Sequence, residues 1–195
     1  MSTDEKTGIQ ALQRDGPTLA AGPGRVEKRE FNYIRHGTQV LMANLEIATG
    51  KLLSSSVKQT RKEVDFLFHI QHTVTTAPED KWIFIADGLN THYSASLVEW
   101  VASSIDEKQA LGEKGKRGVL HNKQTRMAYL SDAAHRIRFV YTPAHCSWLN
   151  PVEVWFSGLT KRVLQRGNFC STADLAAKLS AYIEYYNEKL AKAFC

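Results

Sequence analysis

The sequence predicts an α/β fold in which a mixed β-sheet is flanked by helices. Residues 81–86 form a short, nearly continuous apolar run, which is the pattern of a strand buried on both faces. Two β-compatible segments on either side of Thr49-Gly50 predict a hairpin. Apolar residues from Leu175 to Leu190 recur at helical spacing. Because a strand buried on both faces needs helices above and below its sheet, the three patterns together indicate the α/β class.

Length and composition favour one folded unit. The 195 residues are enough to bury a core, with 43% hydrophobic and 23% charged residues. We therefore predict a single domain over residues 1–195, with a basic insertion at about 105–136. No apolar run approaches the roughly 18 residues that a membrane span requires, and the N-terminus lacks the apolar segment of a secretory signal. These features predict a cytoplasmic protein.

The charge balance and the cysteines restrict the classes of partner and site. There are 25 Lys and Arg against 20 Asp and Glu, so the net charge is 25 − 20 = +5 and the pI is about 9.1. This balance is compatible with a polyanionic partner but does not establish one. Cys146, Cys170 and Cys195 are odd in number and lack C-x-x-C spacing, which argues against a disulfide framework or a zinc knuckle.

The first third of the chain contains the predicted hairpin. Few apolar residues precede Asp4, so a strand there is expected to be a weak element. Residues 13–35 have the Gly, Pro and basic composition of a long loop. Residues 38–47 and 51–57 form the antiparallel pair around the turn.

Helices and strands alternate in the rest of the chain. Thr60-Arg61-Lys62-Glu63 matches a capping box and predicts a helix that ends before Pro78. The strand over 81–86 is followed by a helix over 94–103, and residues 137–141 predict another strand. Asn150-Pro151 begins a helix that Gly167 ends, and Ser171 begins the last one. This order is that of the ribonuclease H-like fold.

Three acidic residues are candidates for metal chemistry. Asp87 ends a predicted strand, Glu153 lies in the first turn of a helix, and Asp4 lies near the chain start. Two Mg²⁺ ions held by such carboxylates neutralise the attacking and leaving oxygens of a phosphodiester. Each residue also has an ordinary structural interpretation. Glu153 completes a capping box with Asn150, Asp87 belongs to a turn, and Asp4 is a solvated terminal charge.

Other polar residues carry weaker signals. Asn90 and His92 follow Asp87 and are candidates for positioning a phosphate or a water molecule, although a polar turn before the next helix explains them as well. His69 and His72 have H-x-x-H spacing without a second ligand pair, which favours a helix surface or core position over zinc. Five apolar residues follow one face of the next helix and are predicted to be core: Val152, Trp155, Phe156, Leu159 and Val163.

Several motifs in order resemble bacterial insertion-sequence transposases of the mariner superfamily. They include Asp4-Glu5-Lys6, Asp87-Gly88-Leu89-Asn90-Thr91-His92 and Ser147-Trp148-Leu149-Asn150-Pro151-Val152-Glu153. The likeness also covers Arg35-His36-Gly37-Thr38 and residues 136–143, and so spans nearly the whole chain. The helix-turn-helix modules that precede the catalytic domain in that family have no counterpart in this sequence, so we do not expect specific recognition of transposon ends.

The resemblance implies a function and a set of site residues. Asp4, Asp87 and Glu153 match the family's DDE triad, which binds two Mg²⁺ or Mn²⁺ ions on a ribonuclease H-like core. The implied reaction is hydrolysis at transposon ends followed by strand transfer into target DNA, by a homodimer assembled on DNA in the bacterial nucleoid. We expect phosphate contacts from basic residues in two segments: Arg25, Lys28, Arg29, Arg35, Lys114, Lys116, Arg117, Lys123 and Arg126. Two alternatives stay open, namely an impaired transposase remnant that binds DNA or full-length transposase, and a host nuclease of the same fold.

Overall fold

The computed structural model describes residues 1–17, 19–27, 32–105 and 110–194. The strands in these ranges are β1 (Ser2–Arg14), β2 (Tyr33–Leu45), β3 (Leu52–Lys58), β4 (Trp82–Ala86), β5 (Gly112–Glu113), β6 (Arg117–Gly118) and β7 (Ile137–Tyr141). The α-helices in the same ranges are α1 (Glu63–Val74), α2 (Ala95–Ser104), α3 (Lys123–Leu130), α4 (Pro151–Leu159) and α5 (Thr172–Lys189). Lys28, Arg29 and Cys195, for which the sequence made predictions, lie outside the described residues.

The central sheet has the strand order β3-β2-β1-β4-β7. Strands β1, β2 and β3 form an antiparallel meander, whereas β4 runs parallel to β1 and β7 runs parallel to β4. The predicted mixed sheet is therefore confirmed. β1 occupies its centre, with an antiparallel neighbour on one side and a parallel neighbour on the other.

The first strand is long, and the expectation of a weak element is wrong. β1 pairs with β2 from Ser2 opposite Leu45 to Arg14 opposite Tyr33. The predicted loop over 13–35 is correspondingly shorter, because both of its ends belong to strands. Pairing with residues 33–45 stabilises a segment whose own apolar content gave little sign of a strand, which shows how strongly β-structure depends on tertiary context.

Helices cover both faces of the sheet. Successive residues of a strand point to opposite faces. On β2, Asn44 hydrogen-bonds Thr73 of α1, whereas Leu45 belongs to an apolar cluster with α4 and α5. A second apolar cluster joins α1, α2 and α3 to β4 and β7 through side chains such as Phe66, Leu97, Leu130, Phe84 and Phe139. The sheet is thus the middle of three layers.

Three local predictions need correction. β4 is buried on one face only, with Ile83 42% exposed, because the cluster formed by α4 and α5 contains no residue of β4. α1 begins at Glu63 rather than after a cap at Thr60, since the Thr60 hydroxyl instead donates to Asp65 Oδ2 at 2.6 Å. The basic insertion is not a plain loop, since it contains the β5–β6 hairpin and α3.

None of the described helices has the length and apolar character needed to span a bilayer.

Candidate active site

The register between the parallel strands β1 and β4 places two aspartates side by side. Ser2 pairs with Ile85, so two residues further along each strand Asp4 and Asp87 reach the same level. The ligating atoms of Asp4, Asp87 and His92 all lie within 4.8 Å of one another. No other group of this kind occurs among the described residues.

Asp4 is held in a buried position. It is 7% exposed, its Oδ1 accepts a hydrogen bond from the Glu5 amide at 2.7 Å, and its Oδ2 accepts one from Asn150 Nδ2 at 3.3 Å. Burial raises the pKa of Asp4 to about 7, and the nearby Asp87 and Glu5 charges act in the same direction, while the Glu5 amide and His92 oppose the rise. An ionised Asp4 is therefore costly at this place unless a cation is near.

Asp87 is the more accessible of the two aspartates, with 37% of its side chain exposed. Its Oδ1 lies 2.8 Å from His92 Nδ1, which also hydrogen-bonds the Asp87 carbonyl at 3.3 Å, and accepts a hydrogen bond from the Leu89 amide at 3.0 Å. These contacts, led by the one with His92, hold the pKa of Asp87 below its usual range despite partial burial. Asp87 is thus ionised at neutral pH, with Oδ2 free of hydrogen bonds to the described residues.

His92 lies between two carboxylates. It follows β4 in the 3₁₀ turn Asn90–Tyr93, and its side chain is fully buried. Nδ1 faces Asp87 Oδ1, and Nε2 faces Glu5 Oε2 at 2.8 Å. Burial alone would lower the pKa of His92, but the hydrogen bonds to Asp87 and Glu5 outweigh it and raise the pKa to about 10. Since both ring nitrogens are engaged, neither is free for the phosphate or water contact suggested by the sequence.

Glu153 lies in the first turn of α4, which starts against the aspartates. Asn150 precedes the helix and is fully buried, but it does not cap α4 with its side chain. Its Nδ2 donates to the Thr3 carbonyl at 3.0 Å and to Asp4, and its Oδ1 accepts from the Ser2 hydroxyl. The alternative in which Asn150 and Glu153 form a capping box is therefore wrong. The Glu153 carboxylate is not part of the Asp4–Asp87–His92 group, and no hydrogen bond to the described residues holds it in place.

Comparison with known proteins decides the family. The model of the family described as DDE superfamily endonuclease matches residues 1–176. The chain belongs to this family. Among curated proteins no match is found.

Solved structures of the Mos1 mariner transposase share the fold of this chain. The Mos1 paired-end complex with the left transposon end has a TM-score of 0.56 and 12% sequence identity, over 95% of this chain and 49% of that one. The Mos1 paired-end complex with Mn has a TM-score of 0.57 and 11% identity, with the same coverage. The Mos1 strand transfer complex has a TM-score of 0.56 and 12% identity, over 95% and 48% of the two chains. The chain thus spans about half the length of the Mos1 chains, and its fold is ribonuclease H-like, as predicted.

A cleft of about 390 Å³ adjoins Asp87. Asp87 and Gly88 form one side, residues 142–147 form another, and Lys123 closes it at the start of α3. A Cβ atom on Gly88 would lie 3.6 Å from Lys123 Nζ. Lys123, which belongs to the predicted basic insertion, therefore lies in the same cleft as Asp87, the residue directly after β4. Its ammonium group suits an anion such as a phosphate.

The other basic residues of the prediction differ in their surroundings. Lys114, Lys116 and Arg117 are exposed on the β5–β6 hairpin, and Lys116 pairs with Glu113 at 2.6 Å. Arg25 and Arg35 are exposed as well. Arg126 differs from all of these, because its guanidinium donates to the carbonyls of Tyr93 at 2.8 Å and Leu120 at 3.0 Å. Its contacts within the protein favour a structural role over the predicted DNA contact.

The remaining sequence candidates take structural positions. His69 is buried in α1, burial lowers its pKa to about 3, and it joins no metal-binding group among the described residues. Of the five residues predicted to be core on α4 and beyond, four are buried, and Val163 is partly buried against them. Asn90 is exposed, and its side-chain oxygen accepts a hydrogen bond from the Tyr93 hydroxyl.

Two residues of the site were missed by sequence reasoning. From the sequence, Glu5 is one residue of the Asp4-Glu5-Lys6 motif, and Asn150 is a helix cap within a second motif; neither pattern assigns a site contact to its side chain. Their partners are His92, 87 residues away, and Ser2, 148 residues away. No local pattern in the sequence signals contacts over such separations.

Proposed function

We propose that this chain is the catalytic domain of a DNA transposase of the mariner superfamily, from a bacterial insertion sequence. The observation that carries the proposal is the alignment of Asp4 and Asp87 at the same level of two parallel strands, inside a family of DDE endonucleases. The reaction is hydrolysis at transposon ends, followed by attack of the freed 3′-hydroxyl on target DNA. We further propose that it acts in the cytoplasm, at the nucleoid.

The donor set fits divalent cations with a preference for oxygen. Asp4 and Asp87 offer carboxylate oxygens. The carboxylate of Glu153, in the first turn of α4, has no hydrogen-bond partner among the described residues and would provide a third donor. Mg²⁺ and Mn²⁺ favour carboxylates combined with water and phosphate oxygens. When bound, two such ions supply charge neutralisation to the attacking and leaving oxygens. Asp4, Asp87 and Glu153 would hold them.

Basic residues near the carboxylates support DNA as the substrate. Lys123 stands in the cleft beside Asp87, and Lys114, Lys116 and Arg117 project from the neighbouring insertion. Together with Arg25 and Arg35, they would neutralise phosphates along the bound strands. We propose that two copies assemble on DNA, because excision requires two transposon ends and each copy provides one set of carboxylates.

The test is nicking of supercoiled plasmid in Mn²⁺. The wild-type chain is expected to nick, and Asp4→Ala, Asp87→Ala and Glu153→Ala are each expected to abolish nicking while remaining folded. The variant Asp80→Ala, which removes an exposed carboxylate outside the site, serves as the matched control. Unchanged nicking in both Asp87→Ala and Glu153→Ala would exclude the assignment.

A second assay separates a transposase from a host nuclease of the same fold. Oligonucleotides with a free 3′-hydroxyl are supplied together with plasmid, and covalent joining is measured. A transposase joins the two DNA molecules, whereas a nuclease only cuts. The alternative of an impaired remnant was based on a short first strand, and β1 with its 13 residues removes that basis.

A further inference from the structure

A chain of hydrogen bonds links Glu5 to Asp87 through His92. Glu5 Oε2 lies 2.8 Å from His92 Nε2, and Asp87 Oδ1 lies 2.8 Å from His92 Nδ1. The two carboxylates come from adjacent strands, and the imidazole comes from the turn that follows the second of them. The link therefore spans the end of the β1–β4 pair on which the site is built.

The buried carboxylate of Glu5 has His92 as its one hydrogen-bond partner among the described residues. The side chain is 1% exposed, and its other oxygen, Oε1, is buried without a partner. A buried charge with a single partner is expensive, so a structural explanation of Glu5 alone is weak. Among the described residues, the Glu5 side chain is therefore connected to Asp87 by hydrogen bonds through His92.

His92 itself is fixed from several sides. Its ring packs against Phe66 with centroids 4.3 Å apart, its amide donates to the Leu89 carbonyl at 2.9 Å, and its carbonyl accepts from the Tyr141 hydroxyl at 2.8 Å. An imidazole held in this way has one orientation available. The Glu5 carboxylate then secures the Nε2 end of the ring, leaving the Nδ1 end directed at Asp87.

The consequence for Asp87 is that its two oxygens have different roles. Oδ1 is taken by His92 and by the Leu89 amide, while Oδ2 has no partner among the described residues. A metal-bound histidine needs an unprotonated nitrogen, and both nitrogens of His92 already face carboxylate oxygens. His92 is therefore better placed to orient a ligand than to be one.

We propose that Glu5 and His92 are positioning residues that hold Asp87 with Oδ2 presented to the divalent cation. The inference rests on the proposed function, since it assigns the arrangement behind the carboxylates of the same site. It goes beyond the DDE triad, because neither residue contacts DNA or metal in this assignment.

The first measurement is Mn²⁺ affinity by thermal shift on the full chain, in the wild type and three variants. Glu5→Gln keeps the shape of the side chain but removes its charge. His92→Asn keeps a donor toward Asp87 but is too short to reach Glu5. Each single variant is expected to raise the Kd for Mn²⁺ by about 10- to 100-fold. The double variant is expected to be no weaker than His92→Asn alone, because the two residues act as one unit.

The matched control is Thr73→Val, which disrupts a buried polar contact between α1 and β2 outside the site. It is expected to lower stability without changing the Kd for Mn²⁺. If Glu5 and His92 had only structural roles, their variants would also lose stability without any change in the Kd for Mn²⁺. Unchanged Mn²⁺ affinity in both Glu5→Gln and His92→Asn, with lowered stability, would therefore overturn the inference.

A metal-free measurement separates this inference from the proposed function. In ¹⁵N-histidine-labelled protein, the His92 ring is expected to show two slowly exchanging N–H protons, identified by their loss in His92→Asn. In Glu5→Gln only the Nε2 signal is expected to shift. A single protected N–H in the wild type would contradict the link. If the wild type failed to bind Mn²⁺ but kept both protons, the proposed function would fall and the hydrogen-bonded link would stand.

Discussion

Asn150 Nδ2 donates a hydrogen bond to the carboxylate of Asp4, which joins the start of α4 to the central strand. The same amide group also binds Thr3 and Ser2, and it is completely buried. Asn150 therefore contributes to the position of Glu153 relative to Asp4, together with the Val152 amide, which donates to the Ser2 hydroxyl at 2.8 Å. The sequence places Asn150 where a helix cap is expected, but its side chain serves tertiary structure instead.

Replacing Asn150 by Ala should destabilise the protein and impair the site. The Thr3 carbonyl and the Ser2 hydroxyl would lose buried partners, which costs about 1–3 kcal/mol for each unsatisfied group. Urea unfolding measures the loss. Asn168→Ala is the matched control, because Asn168 also binds β1, at the Arg14 amide, but at an exposed position. Equal losses in the two variants would contradict the special role of Asn150.

The pH dependence of stability in the metal-free protein should come from three buried groups: the contributions of Asp4 and His92 fall as pH rises, whereas His69, whose pKa is lowered to about 3, contributes stability that rises between about 3 and 6.5. Because the Asp4 and His69 contributions oppose each other below about pH 6.5, the net stability should fall mainly between about pH 7 and 10. Folded Asp4 keeps its proton up to about pH 7, whereas in the unfolded chain it ionises near 3.8, so stability is lost across that interval. His92 contributes stability that is complete below 6.5 and is lost as pH rises through about 10. The lowered pKa of Asp87 acts in the opposite sense, but only as pH falls below 3.8.

Urea unfolding at a series of pH values in EDTA tests this dependence. Asp4→Asn should remove the Asp4 contribution, so that stability rises between about pH 4 and 6.5 through His69, and should leave the decline toward pH 10. His92→Asn should remove that decline. The same pH dependence between 4 and 7 in Asp4→Asn and in the wild type would show that the burial of Asp4 has been misjudged.

Divalent metal should reverse the contribution of Asp4 to this pH dependence. A cation beside Asp4 favours its ionised form, so Mn²⁺ should stabilise the protein more at pH 8 than at pH 5. At 100 times the Kd the gain is about 2.7 kcal/mol. Thermal unfolding with and without Mn²⁺ gives the difference, and Asp87→Asn should abolish it. Asp80→Asn should behave like the wild type, and if it does not, the metal binds elsewhere.

Lys123 and Arg126 should respond differently to substitution although they lie on the same helix. Lys123→Ala should weaken DNA binding and reduce the salt dependence of log K by about one unit, because one phosphate contact is lost. Arg126→Ala should instead lower stability by about 1–3 kcal/mol, since two carbonyls lose their donor. Binding titrations at several salt concentrations and urea unfolding of both variants provide the comparison.

The elements that the sequence predicted well carry strong local patterns. The apolar run of β4, the Ser94 cap of α2 and the apolar stripe of α5 each arise within a few consecutive residues. β1 was underestimated because its stability comes from pairing with β2, whose partner residues range from Leu45 opposite Ser2 to Tyr33 opposite Arg14 and lie outside any short sequence window. Its bulge near Gly8, with φ of 64°, also interrupts the alternation that a sequence pattern requires.

The candidate site, like the fold, could be predicted from the sequence only in part. Asp4 and Asp87 were named from the sequence, and the register of two strands explains why they meet. The role of Glu5 was not visible, because a charged residue beside another charged residue has the composition of a solvated terminus. Only its contact with a buried imidazole 87 residues away distinguishes it. A contact between residues so far apart forms only in the folded chain, so no short segment of the sequence reveals it.

Arg126 extends the influence of the basic insertion to the chemistry of the site. It binds the carbonyl of Tyr93, the residue immediately after His92, and Tyr141 binds the carbonyl of His92 itself. The backbone behind the imidazole is thus braced from two distant parts of the chain. A deletion within residues 105–136 that removed Arg126 would remove one of these two contacts. The backbone at His92 would then be held less firmly, and the aspartates would be affected although neither of them had been changed.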